Sequence, residues 1–228
     1  MLEARNVSKI YETRGVETQA LRNVSITIGE GEFTVLAGPS GSGKTTLLNV
    51  FGALDEPTSG TVLLDGQDLA DLSGTELADL RLAKLGFVFQ AFNLIPVLSA
   101  RENVEFVMEL QGVPPAERRE RALAILKDVG LEGLEDKRPL EMSGGQQQRV
   151  AVARAMVSSP RVILADEPTA NLDSKTAEKL LQLMREMNRD RGITFVFSTH
   201  DTMVIDQADR VVRLRDGEIV ADERRGEG

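Results

Sequence analysis

Residues 38–45 read GPSGSGKT, and this stretch decides the fold of the chain. It fits the pattern G-x-x-x-x-G-K-[ST] at every position. An apolar run, Phe33–Ala37, precedes it, and an apolar stretch of helical character, residues 45–54, follows it. A strand, a glycine-rich loop and a helix in this order predict a site for a nucleoside triphosphate on an α/β fold. The alternative is a glycine-rich turn with an unrelated lysine, and the flanking strand and helix argue against it.

The residue types of this loop suit phosphate chemistry. Glycines let successive backbone N–H groups converge on phosphate oxygens, and the start of the helix adds the positive end of its dipole. The ammonium of Lys44 can lie on the β- and γ-phosphates, and the hydroxyl of Thr45 can bind Mg²⁺. The residues assigned to the nucleotide here are Gly38, Pro39, Ser40, Gly41, Ser42, Gly43, Lys44, Thr45 and Thr46.

Composition excludes several other classes of protein. The 228 residues contain no cysteine and one histidine, which excludes disulfides, thiolate zinc sites and multi-histidine metal sites. The net charge of −9 disfavours a general nucleic-acid binder, and no nucleic-acid partner is expected. No apolar run approaches the ~20 residues of a spanning helix, and the N-terminal residues carry charges where a signal peptide is apolar. We therefore expect a cytoplasmic chain without direct membrane insertion.

The pattern along the chain predicts an α/β body interrupted by a helical insert. Residues 1–91 and 157–222 carry the strand signals and are expected to form the nucleotide-binding core with an antiparallel β subdomain. Residues 92–156 have helical character and are expected to form an α-helical subdomain. Together they are predicted to make one domain over residues 1–228.

A second acidic site is predicted where an apolar strand over residues 162–167 ends in two acidic residues. Ligands of open α/β sheets lie at the carboxyl ends of strands. Asp166 is placed to hold Mg²⁺ through water, and Glu167 is placed to orient or deprotonate an attacking water as a general base. The alternative is a solvated acidic pair at a strand end.

A second anion cradle is predicted where residues 142–149, MSGGQQQR, precede an apolar helix. It lies far from the phosphate loop in the sequence, and one globule could not easily direct both elements at the same γ-phosphate. A head-to-tail dimer removes this difficulty, because each nucleotide then lies between the phosphate loop of one copy and the serine–glycine cradle of the other.

In this order the motifs resemble those of the ATP-binding cassette (ABC) ATPases, over residues 2–222. The resemblance implies a P-loop NTPase core with a mixed sheet, and a signature formed by Ser143, Gly144, Gly145 and Gln146. Met142 stands where this family usually has leucine, and the two side chains are close in volume and polarity. The implied ligands are ATP and Mg²⁺, and the implied catalytic residues are Lys44, Glu167 and His200.

The same resemblance implies functional roles for further residues, and each of these residues also has a structural alternative. Gln90 would touch Mg²⁺, with Thr45 and Asp166, and report to a membrane subunit, or would be an ordinary polar strand end. Asp173 would lie in the loop that crosses the dimer, and it can also be a helix cap. His200 would contact the γ-phosphate, or be structural, and Tyr11 would stack on adenine, or pack in the core.

Residues 87–96 and 164–169 resemble the branch that contains the lipoprotein-release and macrolide-export ATPases. This implies a homodimer with ATP between its subunits, bound peripherally at the cytoplasmic face of the inner membrane to a separate transmembrane permease. Two alternatives stay open. One is a cell-division type of ATPase that drives a transmembrane signal without transport. The other is a soluble cassette ATPase that acts on DNA or ribosomes, although such proteins usually have a coiled-coil insert or two cassettes.

Residues 90–98 combine a polar start with a nearly uncharged apolar run. The resemblance implies that a short cytoplasmic helix of the membrane subunit docks beside this run. Burial under the helical insert is the alternative.

Overall fold

The computed structural model describes residues 2–13 and 15–225. The strands are, in chain order, β1 (Leu2–Thr13), β2 (Val16–Ile28), β3 (Phe33–Ala37), β4 (Ser59–Leu64), β5 (Gln67–Asp68), β6 (Leu85–Val88), β7 (Val162–Asp166), β8 (Thr194–Thr199), β9 (Arg210–Arg215) and β10 (Glu218–Arg224). The helices are α1 (Lys44–Phe51), α2 (Gly74–Lys84), α3 (Ala100–Leu110), α4 (Pro115–Asp128), α5 (Gly144–Met156), α6 (Ser174–Arg191) and α7 (Thr202–Asp206). These elements confirm a mixed α/β fold.

The chain forms two compact units. The first unit extends to Arg81 and resumes at Thr194, and the second is Leu82–Ile193. This division places β6, β7 and α6 with the helical stretch, so its boundaries differ from residues 92 and 156. Between those two residues the described structure contains helices and turns but no strand. The helical subdomain over residues 92–156 stays a prediction.

The first unit contains an antiparallel sheet with the strand order β2-β1-β4-β5. It also contains β3, which pairs in parallel with β8 on one side and with β9 on the other. All residues of β3 and β8 are buried, as is typical of strands covered on both faces. Strands β9 and β10 form an antiparallel hairpin, with positive φ at both Asp216 and Gly217.

The second unit contains a parallel strand pair, β6 and β7, and helix α5 packs against β6. Helix α5 contacts both α3 and β6, and its residues Val150–Ala153 are buried. Strand β6 approaches α5 so closely that a Cβ atom on Gly86 would lie 2.5 Å from the carbonyl oxygen of Ala155. Only glycine fits this contact, which fixes the distance between strand and helix.

Two helices differ from expectation. Helix α1 ends at Phe51 rather than near Leu54, because Gly52 caps it and Ala53 takes a left-handed φ of 51°. Helix α2 was not predicted, since Leu80 is its only buried residue and no apolar stripe marks it. In residues 2–13 and 15–225, we find no helix with the length and apolar character needed to cross a membrane.

Candidate nucleotide-binding and hydrolysis site

The phosphate loop lies in the first unit, between buried β3 and the start of α1. Gly43 is the residue before the helix and has a φ of 99°, which favours glycine. A Cβ atom there would also lie 2.6 Å from the carbonyl oxygen of Ala20. The backbone path therefore requires glycine at position 43. The first N–H groups of α1 have no partner within the helix and are available to a ligand.

The polar groups of the loop fit a bound phosphate. Lys44 is 6% exposed, and its ammonium donates to the carbonyl oxygens of Gly38 at 2.7 Å and Pro39 at 3.0 Å. An ammonium has three N–H donors, so one remains for a phosphate oxygen. The hydroxyl oxygen of Ser42 is buried and has no hydrogen-bond partner among the described residues. Since buried polar groups are normally paired, this hydroxyl indicates a place for a ligand oxygen.

Tyr11, the predicted adenine platform, lies on β1 and is 37% exposed. Its hydroxyl donates to Asp55 Oδ2 at 2.6 Å and also interacts with the side chain of Thr46 in the first turn of α1. Burial and the carboxylate of Asp55 raise the pKa of the Tyr11 phenol. The structure therefore attaches the only tyrosine of the chain to the helix that begins at the phosphate loop.

His200 belongs to the same unit and follows buried β8 directly. Its side chain is exposed. The next residue, Asp201, caps α7 by accepting from the backbone N–H of Met203 at 2.9 Å. His200 is therefore fixed between a buried strand and a capped helix, at the carboxyl end of a parallel strand, where ligands of such sheets lie.

The acidic pair lies in the second unit, where β7 ends. Asp166 is the last residue of the strand and Glu167 follows it, and both are half-buried. Glu167 has a left-handed φ of 45°, an uncommon conformation for a residue with a side chain. Strained backbone of this kind concentrates at functional sites, because the surrounding structure must hold it in place.

Gln90 follows β6, and its side chain is exposed. Its backbone carbonyl accepts from the side-chain amide of Asn171 at 2.8 Å. Asn171 precedes Asp173, which caps α6 by accepting from the N–H of Thr176 at 3.1 Å and from its hydroxyl at 2.6 Å. The hydroxyl and N–H of Thr176 lower the pKa of Asp173. The cap reading of Asp173 is confirmed, and the loops around Gln90 and Asp173 are in direct contact.

The serine–glycine cradle forms the start of α5. Ser143 caps the helix by accepting from the N–H of Gln146 at 3.3 Å, and the Gln146 side chain accepts from the N–H of Ser143 at 2.8 Å. A Cβ atom on Gly145 would lie 2.6 Å from Cγ2 of Thr176. Met142 is buried, in line with its expected exchange with leucine.

Sequence reasoning missed two polar residues that support these loops. Arg154 on α5 donates to the carbonyl oxygens of Phe92, at 2.9 Å, and Asn93. The amide group of buried Asn103 bonds to backbone groups of Ile95, Leu98 and Ser99. An arginine inside the apolar run of residues 150–157 was a usable signal for the first of these, and nothing in the sequence marked Asn103.

The structure divides the predicted site residues between the two units. Tyr11, the phosphate loop and His200 belong to the first, and Gln90, the cradle, the acidic pair and Asp173 belong to the second. A phosphate loop between a buried strand and a helix defines the nucleoside-triphosphate-binding α/β class.

Comparison with known proteins identifies a family within this class. Residues 21–170 match the ABC transporter family. The chain is 49% identical, over 99% of its length and 96% of the relative, to an ABC transporter ATP-binding protein of Thermotoga maritima. It is 48% identical, over 98% of its length and 97% of the relative, to the ABC transporter ATP-binding protein MJ0796 of Methanocaldococcus jannaschii. It is 46% identical to the macrolide export ATP-binding/permease protein MacB of Syntrophobacter fumaroxidans, over 96% of this chain and 31% of that protein.

The chain is also similar to a solved structure of one of these relatives. The dimeric structure of a post-hydrolysis state of the ATP-binding cassette MJ0796, bound to ADP and Pi, has a TM-score of 0.93 and 47% identity. That match covers 99% of this chain and 100% of the other. The chain belongs to the ABC transporter family and is an ATPase domain of that family.

Proposed function

We propose that the chain binds ATP between two copies of itself, hydrolyses it, and so drives export by a separate transmembrane permease. The observation that carries the proposal is the phosphate loop, where the Lys44 ammonium and the unpartnered Ser42 hydroxyl lie at the start of α1. These groups and the helix N-terminus supply the donors and positive charge that a triphosphate needs. Tyr11 would stack on the adenine base.

Mg²⁺ fits the donor set that the resemblance assigns to it. Thr45, Gln90 and Asp166 offer a hydroxyl, an amide oxygen and a carboxylate, the oxygen ligands that Mg²⁺ prefers. No group of three or more His, Asp or Glu side chains in the described ranges could hold a metal by itself. In our proposal the ion would also be held by phosphate oxygens of the nucleotide, and it would neutralise negative charge on the transferred phosphoryl group.

Hydrolysis rests on Glu167. Its carboxylate would orient the attacking water and accept its proton as the water oxygen bonds to the γ-phosphorus. The bond between that phosphorus and the β–γ bridging oxygen breaks, and ADP and phosphate form. Glu167 directly follows β7 and has a left-handed φ of 45°, a backbone conformation that the surrounding structure must hold. Lys44 and His200 would stabilise charge on the γ-phosphate.

The serine–glycine cradle would complete the site of the opposite copy. Ser143 caps α5, so the cradle lies at a helix start, where backbone N–H groups and the helix dipole favour an anion. Support for a dimer comes from MJ0796, whose cassette forms a dimer in the solved structures. We expect this chain to be largely monomeric without nucleotide, because ATP itself would join the two surfaces.

The export branch is supported by the relative MacB, which combines an ATP-binding part with a permease in one protein. In our proposal the permease is a separate polypeptide, and the complex places this chain at the cytoplasmic face of the inner membrane. The substrate would be handled by the permease.

The test of the shared site is Ser143→Arg. The bulky cation should block the γ-phosphate of the opposite copy, so that hydrolysis is lost while the monomer binds nucleotide nearly as before. Leu140→Arg is the matched control, because Leu140 is 91% exposed and lies three residues earlier. Mixing Ser143→Arg with Lys44→Ala should restore at most one competent site per heterodimer. Loss of monomer binding in Ser143→Arg would place both cradles in one site and contradict the proposal.

A further inference from the structure

The side chain of Tyr11 is held by three neighbours, Lys9, Thr46 and Asp55, which we call the Tyr11 cluster. Both carboxylate oxygens of Asp55 are engaged, Oδ2 by the Tyr11 hydroxyl at 2.6 Å and Oδ1 by the ammonium of Lys9. The backbone N–H of Glu56 also donates to Oδ1, at 2.9 Å. The carboxylate therefore has defined partners on both oxygens, and its position is fixed.

The cluster ties the tyrosine ring to α1 at two places. Thr46 lies in the first turn of the helix, and Asp55 lies just beyond its end. The chain after the helix folds back, since the N–H groups of Leu54 and Asp55 both donate to the carbonyl oxygen of Asn49. Helix α1 begins at the phosphate loop. A ring attached to this helix keeps a set distance from the loop, as recognition of base and phosphates together requires.

Lys9 occupies one face of the ring. Its ammonium lies 4.9 Å from the centre of the Tyr11 ring, within the range of a cation–π contact. The same ammonium donates to the carbonyl oxygen of Glu56 at 2.7 Å, so the lysine is itself fixed. A base that stacks on Tyr11 must therefore use the opposite face.

We propose that Asp55 is a positioning residue for nucleotide recognition, holding Tyr11 so that a purine base stacks on the face opposite Lys9. This inference rests on the stacking role proposed for Tyr11 above. A ring that is already held in place loses less conformational freedom when a base stacks on it. Asp55 should consequently strengthen binding of ligands that contain a base and have no effect on ligands that are only phosphate.

The chain offers a direct optical probe of this cluster, because it contains one tyrosine and no tryptophan. Phenolate absorbance and tyrosine fluorescence therefore report Tyr11 alone. Burial and the Asp55 carboxylate raise the pKa of the phenol. Burial opposes ionisation of Asp55, but hydrogen bonds from Lys9 and Tyr11 outweigh it and lower the pKa of this carboxyl.

The experiment measures the affinities of Asp55→Ala for ATP and for inorganic tripolyphosphate, and the quenching of tyrosine fluorescence by ATP. We expect ATP to bind about three- to fivefold more weakly, with tripolyphosphate unchanged. The phenol should titrate at a lower pH, nearer the ordinary value of about 10. Asp55→Asn keeps one acceptor oxygen, so its affinity for ATP should lie between those of Asp55→Ala and the wild type. Glu56→Gln is the control, because the exposed Glu56 contacts the cluster through its backbone.

Tyr11→Ala separates this inference from the proposed function. Stacking predicts that it weakens ATP binding about tenfold and leaves tripolyphosphate unchanged. If Tyr11→Ala has no such effect, the stacking role itself fails. If it has the effect but Asp55→Ala does not, or if Asp55→Ala weakens both ligands equally, the positioning role of Asp55 is overturned while stacking survives.

Discussion

The guanidinium of Arg154 lies 2.9 Å from the backbone carbonyl oxygen of Phe92 and also donates to that of Asn93. Both acceptors belong to residues with left-handed φ, 60° and 50°. Arg154 lies on α5, which begins at the serine–glycine cradle, so this helix holds the loop that follows Gln90. Burial lowers the pKa of the guanidinium. The partly desolvated Arg154 side chain therefore stabilises the conformation of the loop that follows Gln90.

We predict that Arg154→Met lowers the free energy of unfolding by about 2 kcal/mol, because two charged hydrogen bonds are lost and the carbonyl oxygens of Phe92 and Asn93 lose their donor. Urea unfolding monitored by circular dichroism measures this. Arg189→Met, at an exposed position of α6, should change it by less than about 0.5 kcal/mol. Equal stability of the two variants would show that the loop holds its shape without Arg154.

The loop supported by Arg154 belongs to residues 90–98, the predicted contact with the membrane subunit. Phe92, Leu94, Ile95 and Leu98 are half-buried, while Val97 is 69% exposed. We predict that Val97→Asn leaves the ATPase rate of the isolated chain intact and abolishes its stimulation by the permease. Paired assays of the chain alone and of the reconstituted complex measure this, with Leu140→Asn as the control. Equal loss in both assays would make residue 97 part of the core, and no loss in either would place the contact elsewhere.

A third prediction concerns acid stability in the first unit. Buried Arg210 donates to both carboxylate oxygens of Asp222, at 2.8 and 2.7 Å, and to Glu32 at 3.0 Å. The hydrogen bonds from Arg210 lower the pKa of Asp222 despite partial burial. Because this pKa is lower in the folded chain, the stabilisation is fully present above the unfolded value of about 4 and is lost as the pH falls through the folded value.

Asp222→Asn should therefore destabilise the chain by about 1 kcal/mol at pH 7, a figure reduced for a carboxylate that is 39% exposed. The difference from the wild type should shrink as the pH falls below about 4. Thermal unfolding across pH measures it. Glu223→Gln is the control, since the pair of Glu223 with Arg213 is exposed on both sides. A difference that stays constant at low pH would show that the effect of Asp222 is not ionic.

Elements whose formation depends on neighbouring residues could be predicted from the sequence. The phosphate loop carries its own glycines and the strand Phe33–Ala37 before it carries its own apolar run, and both were placed correctly. Helix α2 carried no such signal. The contact between Asp55 and Tyr11 could not be predicted, because it joins residues 44 positions apart and depends on how the chain folds back after α1. Arg154 and Asn103 act on loops through the same kind of tertiary contact.

A fourth prediction follows from the unpartnered hydroxyl of Ser42. Removing it by Ser42→Ala should leave the free energy of unfolding unchanged or slightly raised, because no hydrogen bond to a described residue is lost. ATP binding should weaken about tenfold, since a ligand oxygen loses its donor. Calorimetric titration and unfolding of the same variant measure both. A destabilised variant with normal ATP affinity would mean that the hydroxyl serves the fold.

In the proposed function, two copies of the chain share each bound ATP. Glu167 is the general base for hydrolysis of this ATP, and hydrolysis allows the two copies to separate. Glu167→Gln keeps the shape of the side chain and removes its ability to accept a proton, so ATP should bind and stay intact. Sizing chromatography of this variant with ATP and Mg²⁺ is the most direct measurement. We expect a stable dimer with ATP, a monomer without it, and a monomer when Lys44→Ala is added. A Glu167→Gln chain that stays monomeric at saturating ATP would contradict the shared site.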